Sequence, residues 1–282
     1  MSEVKKQSLI DDLKEGGDSH RPKIGLALGS GGARGFAHIG ILKVLEQNNI
    51  PIDYIAGSSI GALVASLYGV GHSPESIQKY ITYFPQKFWL DYTVPKMGFV
   101  AGDKIKELIR MFTKKKNIEE AHIPLAIVAT NLKKGERKVF SSGPIAEAVR
   151  ASISIPGIFV PEEIDGEYYI DGGVIDRVPV SVVKDMGADL VIAVDVSYYE
   201  AEHEVSSIFD VIAQTIDIME REILRYRMLH ADLMIRPKVG HWGANTFNGS
   251  EEMIIEGEKA AIDVLPSIQR MIEEWRDKQE NA

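Results

Sequence analysis

At 282 residues, 45% of them hydrophobic, the chain is long enough to bury a full core and short enough to be one large domain. It has no cysteine, which excludes disulfides, thiolate catalysis and cysteine-ligated zinc and makes a reducing cytoplasm the expected setting. A formal charge of −9 argues against nucleic acid as a partner and against a general attraction to anionic membranes, so any membrane contact would be local and apolar.

Residues 1–22 read as a flexible polar leader of mixed charge, neither signal peptide nor anchor, and residues 23–282 as a single domain. No uninterrupted apolar stretch reaches the length that spans a bilayer. Ile24 to Leu28 reads as a short buried strand. Behind it Gly29-Ser30-Gly31-Gly32-Ala33-Arg34-Gly35 forms a glycine-rich loop, leading into a helix from about Ala33 to Gln47. Backbone N–H groups gathered at a helix N-terminus favour negative charge, so this loop can bind an anion or form an oxyanion hole. A dinucleotide fingerprint fails because Arg34 stands where its last glycine belongs, and no Gly-Lys-Ser/Thr follows to make a Walker A loop.

A second strand, Ile52 to Ala56, runs into Gly57-Ser58-Ser59-Ile60-Gly61 and then into the alanine-rich helix Ala62 to Leu67. This is the G-x-S-x-G pattern of a nucleophile elbow. The glycines at 57 and 61 let neighbouring backbone come close while Ser59 takes the strained apex, and the pattern predicts hydrolytic or acyl-transfer chemistry. In such an elbow the N–H of the residue after the serine, here Ile60, shares the oxyanion with a separate strand–helix loop, a part Gly31 and Gly32 can supply.

Further strands are expected at Leu125 to Leu132, Lys138 to Ser141, Tyr168 to Ile170, Leu190 to Val196 and Asp232 to Pro237. Helices are expected near Pro74 to Tyr83, Asp103 to Thr113, Pro144 to Ser152, Val180 to Met186, Ser206 to His230 and Glu251 to Lys278. Alternating apolar strands and helices imply an α/β fold with a mostly parallel sheet covered on both faces. The Ser206 to His230 helix, with apolar Ile208, Val211, Ile212, Thr215, Ile218 and Met219, is expected to pack on the sheet or on a partner subunit and to take no part in chemistry.

A serine hydroxyl needs a proton acceptor, and histidine is the usual one. His241, in Gly240-His241-Trp242-Gly243, is the one histidine in a late loop, while His38 lies inside the first helix. Asp171 is the stronger candidate. It ends a short aromatic strand and is followed by Gly172 and Gly173, which let the chain turn and another backbone approach.

The ordered set of Ser30-Gly31-Gly32-Ala33-Arg34-Gly35, Gly57-Ser58-Ser59-Ile60-Gly61 and Asp171-Gly172-Gly173 resembles the patatin-like phospholipases, in particular bacterial members related to the neuropathy target esterase catalytic domain. Phe36 to Leu42 and Arg150 to Pro156 are similar to that subgroup as well, so the resemblance runs from about Lys23 to Val196. It implies a three-layer α/β/α sandwich, a serine–aspartate dyad and hydrolysis of lipid acyl esters without metal or organic cofactor. Carried over, Ser59 is the nucleophile, Asp171 the base, and Gly31, Gly32 and Ile60 line the oxyanion hole, with Gly57, Gly61, Arg34, Gly35, Gly172 and Gly173 in support. The implied substrate is a phospholipid or lysophospholipid, met in transient contact at the inner membrane surface, with an acyltransferase or an idle regulatory protein of the same fold as alternatives. One position departs from the family pattern: Ser30 stands in the first place of the glycine triplet. Aromatic residues between Tyr80 and Phe99, with Met97, could wall an acyl chain or form ordinary core, and Lys114-Lys115-Lys116 could meet anionic head groups or be a solvated helix end.

Overall fold

The computed structural model describes residues 21–83, 91–94, 96–198, 205–226, 230–244, 246 and 248–280, so the expected leader lies outside the described residues except for Arg21 and Pro22. In chain order the elements are β1 (Ile24–Leu28), α1 (Phe36–Gln47), β2 (Tyr54–Ser58), α2 (Ile60–Gly69), α3 (Pro74–Tyr83), β3 (Gly98–Val100), α4 (Asp103–Phe112), β4 (Leu125–Asn131) and β5 (Glu136–Phe140). There follow α5 (Ile145–Ser152), β6 (Gly157–Phe159), β7 (Glu162–Ile164), β8 (Glu167–Asp171), α6 (Val180–Asp185), β9 (Leu190–Val194), α7 (Ile208–Tyr226), β10 (Leu233–Ile235) and α8 (Ser250–Glu280). The first helix starts later than its sequence suggests, because Gly32–Gly35 winds as a tighter 3-10 turn.

The main sheet runs β10-β9-β1-β2-β4-β8-β7, with β5 also paired to β4. From β10 to β4 all pairings are parallel, whereas β5, β8 and β7 join antiparallel. The parallel strands are apolar on both faces because helices cover both. Ile24, Leu26 and Leu28 of β1, Ile55 of β2, Leu125 and Ile127 of β4 and Ile192 and Val194 of β9 face α1, α2 and α8. The intervening positions, Ala27, Ala56, Ala126 and Ala193 among them, are small and meet the short helix α6 through Val180, Val182 and Val183. Period-two alternation thus builds three layers, an α/β/α sandwich with one thick and one thin helical side.

Register explains how distant residues meet. Along one edge of β4, β2 pairs with Leu125 to Val128 and β8 with Ala129 to Asn131, since β5 occupies the other edge from Ile127 onward. β2 runs parallel and β8 antiparallel to β4, so their C-terminal ends point at each other: Ser58 sits opposite Val128 and Asp171 opposite the next residue, Ala129. β1, with the glycine loop at its own C-terminal end, lies beside β2. Three separate chain segments, the glycine loop, the elbow and the Asp171 turn 112 residues after Ser59, therefore converge at one point of the sheet rim.

Candidate active site

Ser59 follows β2 directly and has φ 54° and ψ −125°, a conformation unfavourable for any residue with a Cβ. The elbow is closed so tightly that a Cβ on Gly57 would stand 2.3 Å from the Gly61 carbonyl oxygen, and one on Gly61 would stand 2.2 Å from that of Leu28. Ser59 N–H donates to Ser152 Oγ at 2.8 Å, and Ser152 Oγ donates to the Val128 carbonyl at 2.6 Å, which fastens the strained apex to α5 and β4. Ser59 Oγ donates to Asp171 Oδ2 at 2.6 Å.

Asp171 is held as firmly. Its Oδ1 accepts from Gly173 N–H at 2.8 Å, its own N–H donates to the Ser154 carbonyl at 2.9 Å, and Thr130 Oγ1 donates to its carbonyl at 2.9 Å. Burial, and after it the negative charge of Glu220, push the Asp171 carboxyl from 3.8 up to about 7, against the hydrogen bonds from Ser59 and Gly173 and the charge of Arg177. An aspartate this basic can take a proton from a hydroxyl held against it.

The glycine loop faces the same pair. Gly32 has φ +58°, and a Cβ there would stand 2.2 Å from the Ala244 carbonyl oxygen, so neither the conformation nor the space admits a side chain. Among the described residues, the N–H groups of Gly31, Gly32 and Ile60 donate to no backbone carbonyl, whereas Ala33 N–H is taken by Ala244 at 2.7 Å. Gly31 and Gly32 line one small cavity with Ser59 and Asp171. Arg34 also lines it: it is buried, donates through Nε to the Gly31 carbonyl at 3.1 Å and pairs with Asp217 of α7 at 2.9 Å.

No histidine touches Ser59 among the described residues. His38 is wholly buried behind the loop, with Nε2 2.9 Å from the Gly29 carbonyl, and burial lowers its pKa to about 4. It is therefore a neutral ring donating from Nε2. His241 lies exposed beside Trp242, with ring centroids 3.5 Å apart and the rings tilted by 39°.

The aromatic stretch divides. Tyr80 is structural, stacked on Phe112 at 4.6 Å, and Phe99 packs edge-on against Phe209 at 5.5 Å, while Tyr92 and Met97 are exposed. Phe84, Phe88 and Trp89 lie outside the described residues. Of the basic run, Lys114 and Lys115 are exposed in left-handed backbone past the end of α4, and Lys116 Nζ donates to the Glu120 carbonyl at 3.2 Å.

Within this chain, α7 packs through a face other than its apolar stripe. The helix lies against the Gly172–Val174 turn and β6, and the face it turns inward carries Asp217 and Glu220, both buried. Of the six residues of the expected stripe, Ile208, Val211, Thr215, Ile218 and Met219 are exposed, and Ile212 is half-buried beside Gly157 of β6. The inward carboxylates are matched by cations: Arg34 and Arg177 reach Asp217 at 2.9 and 2.7 Å, and Arg177 reaches Glu220 at 3.5 Å. Arg150, quoted above only as part of a similar segment, is also buried; it donates to the carbonyls of Gly102, Ala101 and Val160 and to Ser154 Oγ, and so braces the segment that holds both Ser59 and Asp171.

Known proteins share the sequence pattern and fold of this chain. A family model described as patatin-like phospholipase matches residues 26–184, more than half of the chain. The chain is 40% identical over 185 residues to an uncharacterized NTE family protein of Mycobacterium tuberculosis, covering 65% of this chain and 51% of that protein. It is 35% identical over 195 residues to the lysophospholipase NTE1 of Pyricularia oryzae, covering 64% of this chain and 13% of that much longer protein. The chain thus spans about half the length, or less, of the curated relatives it matches. In three dimensions it is similar to VipD from Legionella pneumophila, with a TM-score of 0.62 at 17% identity over 87% of this chain and 67% of that one, which shows a shared fold. The match between residues 26 and 184 includes the glycine loop, the elbow and the Asp-Gly-Gly turn, and the chain belongs to the patatin-like phospholipase family.

Proposed function

We propose that the chain is a lipid acyl hydrolase of the lysophospholipase or phospholipase type, using Ser59 and Asp171 as a dyad. The observation that carries the reading is the 2.6 Å bond from Ser59 Oγ to an aspartate whose carboxyl is raised to about 7. Ser59 Oγ attacks the carbonyl carbon of a carboxyl ester as Asp171 Oδ2 takes its proton. The oxygen that becomes negative is received by the N–H groups of Gly31, Gly32 and Ile60, at the N-terminal ends of the 3-10 turn and α2. Collapse breaks the ester C–O bond, and the departing alcohol takes the proton from Asp171. Water then gives a proton to Asp171 and attacks the acyl carbon; collapse frees the carboxylic acid, and the proton returns to Ser59.

The lysophospholipase name of the fungal relative supports a lipid substrate, and among the described residues no helix is long and apolar enough to cross a membrane. The cavity at Ser59 is only about 40 Å³, far below the several hundred Å³ usual for ligand pockets, so Ala213 and Ile216 of α7, which line it, must give way to an acyl chain.

The test is a panel of lysophospholipid, diacyl phospholipid and nitrophenyl acyl esters run on wild type, Ser59→Ala and His241→Gln. The expected result is ester cleavage by wild type and His241→Gln and none by Ser59→Ala. Equal turnover in the Ser59 variant overturns the reading.

A further inference from the structure

Glu220, on α7, stands where the two loops of the site meet. Its Oε2 accepts a hydrogen bond from Ser30 Oγ at 3.0 Å, and Ser30 opens the glycine loop. Its Oε1 lies so near Gly173 that a Cβ there would come within 2.6 Å of it, and Gly173 is the residue whose N–H clamps Asp171 Oδ1. Ser30 Oγ would be 2.6 Å from that same Cβ, so Ser30, Gly173 and Glu220 form one closed contact.

We propose, on the dyad reading above, that Glu220 is a positioning residue for the reaction: it ties the glycine loop to the loop that carries Asp171, and its negative charge keeps the Asp171 carboxylate a competent base. The position that departs from the family pattern gains a role here, since Ser30 supplies the hydroxyl that a glycine could not. Burial pushes the Glu220 carboxyl above its ordinary range, while the charge of Arg177, the hydrogen bond from Ser30 and the charge of Arg34 favour its ionised form. Arg177 faces it from the loop after the Gly172–Val174 turn, and Arg34 from the glycine loop. Asp217 and Arg221 lie on its own helix, and Asp195, just after β9, faces Arg177. On its other side Glu220 borders a cavity of about 320 Å³ that Arg137, Asp176, Lys184 and His230 also line. Asp217 and Glu220 face the buried guanidinium groups of Arg34 and Arg177, whereas among the described residues neither Asp171 nor the buried Asp195 has a cation bonded to it. A fixed negative neighbour makes loss of its proton harder and acceptance easier.

The experiment compares kcat/KM against pH for wild type, Glu220→Gln and Glu220→Asp with a nitrophenyl acyl ester. Each carries His230→Gln, so that the histidine bordering the same cavity does not contribute. In parallel the Asp171 carboxyl is titrated by 13C NMR, identified by its loss in Asp171→Asn. Removing the charge is expected to move both the acid limb and the NMR midpoint down by about one pH unit, with kcat lowered about tenfold. Glu220→Asp keeps the charge and is expected to hold the midpoint while losing rate, because the shorter side chain no longer reaches Ser30. An unmoved midpoint in Glu220→Gln overturns the proposal. Should Glu220→Gln not fold, Ser30→Ala tests the tie: kcat about fivefold down at unchanged KM is expected, and wild-type kcat overturns it. The NMR titration needs no turnover, so failure of the hydrolase reading is distinguishable from failure of this one.

Discussion

At the scale of single residues, the chemistry rests on two unfavourable states held in place by their surroundings. Ser59 occupies a backbone region that costs on the order of 1–3 kcal/mol, which the elbow's close backbone contacts and the Ser152 bond over-determine. Asp171 is buried as a carboxylate, with its pKa raised from 3.8 to about 7. Because the folded state holds this proton more tightly than the unfolded chain, its contribution to stability is full below about pH 4 and lost as pH rises through about 7. Asparagine has no proton to lose. Urea unfolding should therefore show Asp171→Asn gaining on wild type by about 2 kcal/mol between pH 5 and pH 8, and a gap that does not change with pH would mean that Asp171 ionises normally. In wild type, kcat/KM should climb with pH through about 7 as the carboxylate forms. A flat profile from pH 5 to 8 would assign the base elsewhere.

At the scale of elements, α7 turns Asp217 and Glu220 inward beside Ala213 and Ile216 and leaves Ile218 and Met219 outward. Asp217→Asn leaves Arg34 and Arg177 buried without their main counter-charge and should cost about 3 kcal/mol in unfolding free energy, whereas Ile218→Ser should cost no more than about 0.5 kcal/mol. The reverse ranking would mean that the helix packs on its apolar stripe. This orientation was not legible in the sequence, and the reason is physical. Periodicity reports which side chains prefer an apolar setting, but a buried charge is stable only if its partner is present, and here the partners are 183 residues away for Asp217 with Arg34 and 190 for Glu220 with Ser30. The glycine loop, the elbow and the Asp-Gly-Gly turn were legible because each is a short run whose glycines mark close approach of other chain, even where that chain is distant in sequence, as Ala244 is from Gly32. The short strands β3, β6 and β7 were missed, being three residues each and too brief to carry a period.

Across the whole molecule, helices more than two hundred residues apart in sequence meet where α1 crosses α8. A Cβ on Gly40 would stand 2.0 Å from the Ile254 carbonyl oxygen, and one on Gly257 would stand 2.1 Å from that of Ala37, so the two helices touch backbone to backbone. Gly257→Val should force them apart and cost about 1–3 kcal/mol by urea unfolding, while a change below about 0.5 kcal/mol would place α8 elsewhere. The layered order was readable from alternating apolar strands and helices, and the antiparallel entry of β8 was not, because its three pairings with β4 depend on where β2 stops. That head-to-head meeting of β2 and β8 joins the fold to its proposed chemistry. The most direct measurement is mass spectrometry of the protein quenched during turnover of a slow nitrophenyl acyl ester. An acyl group on Ser59 in wild type, absent from Asp171→Asn, is the predicted result; an acyl group on another residue, or equal acylation in the Asp171 variant, would contradict the account.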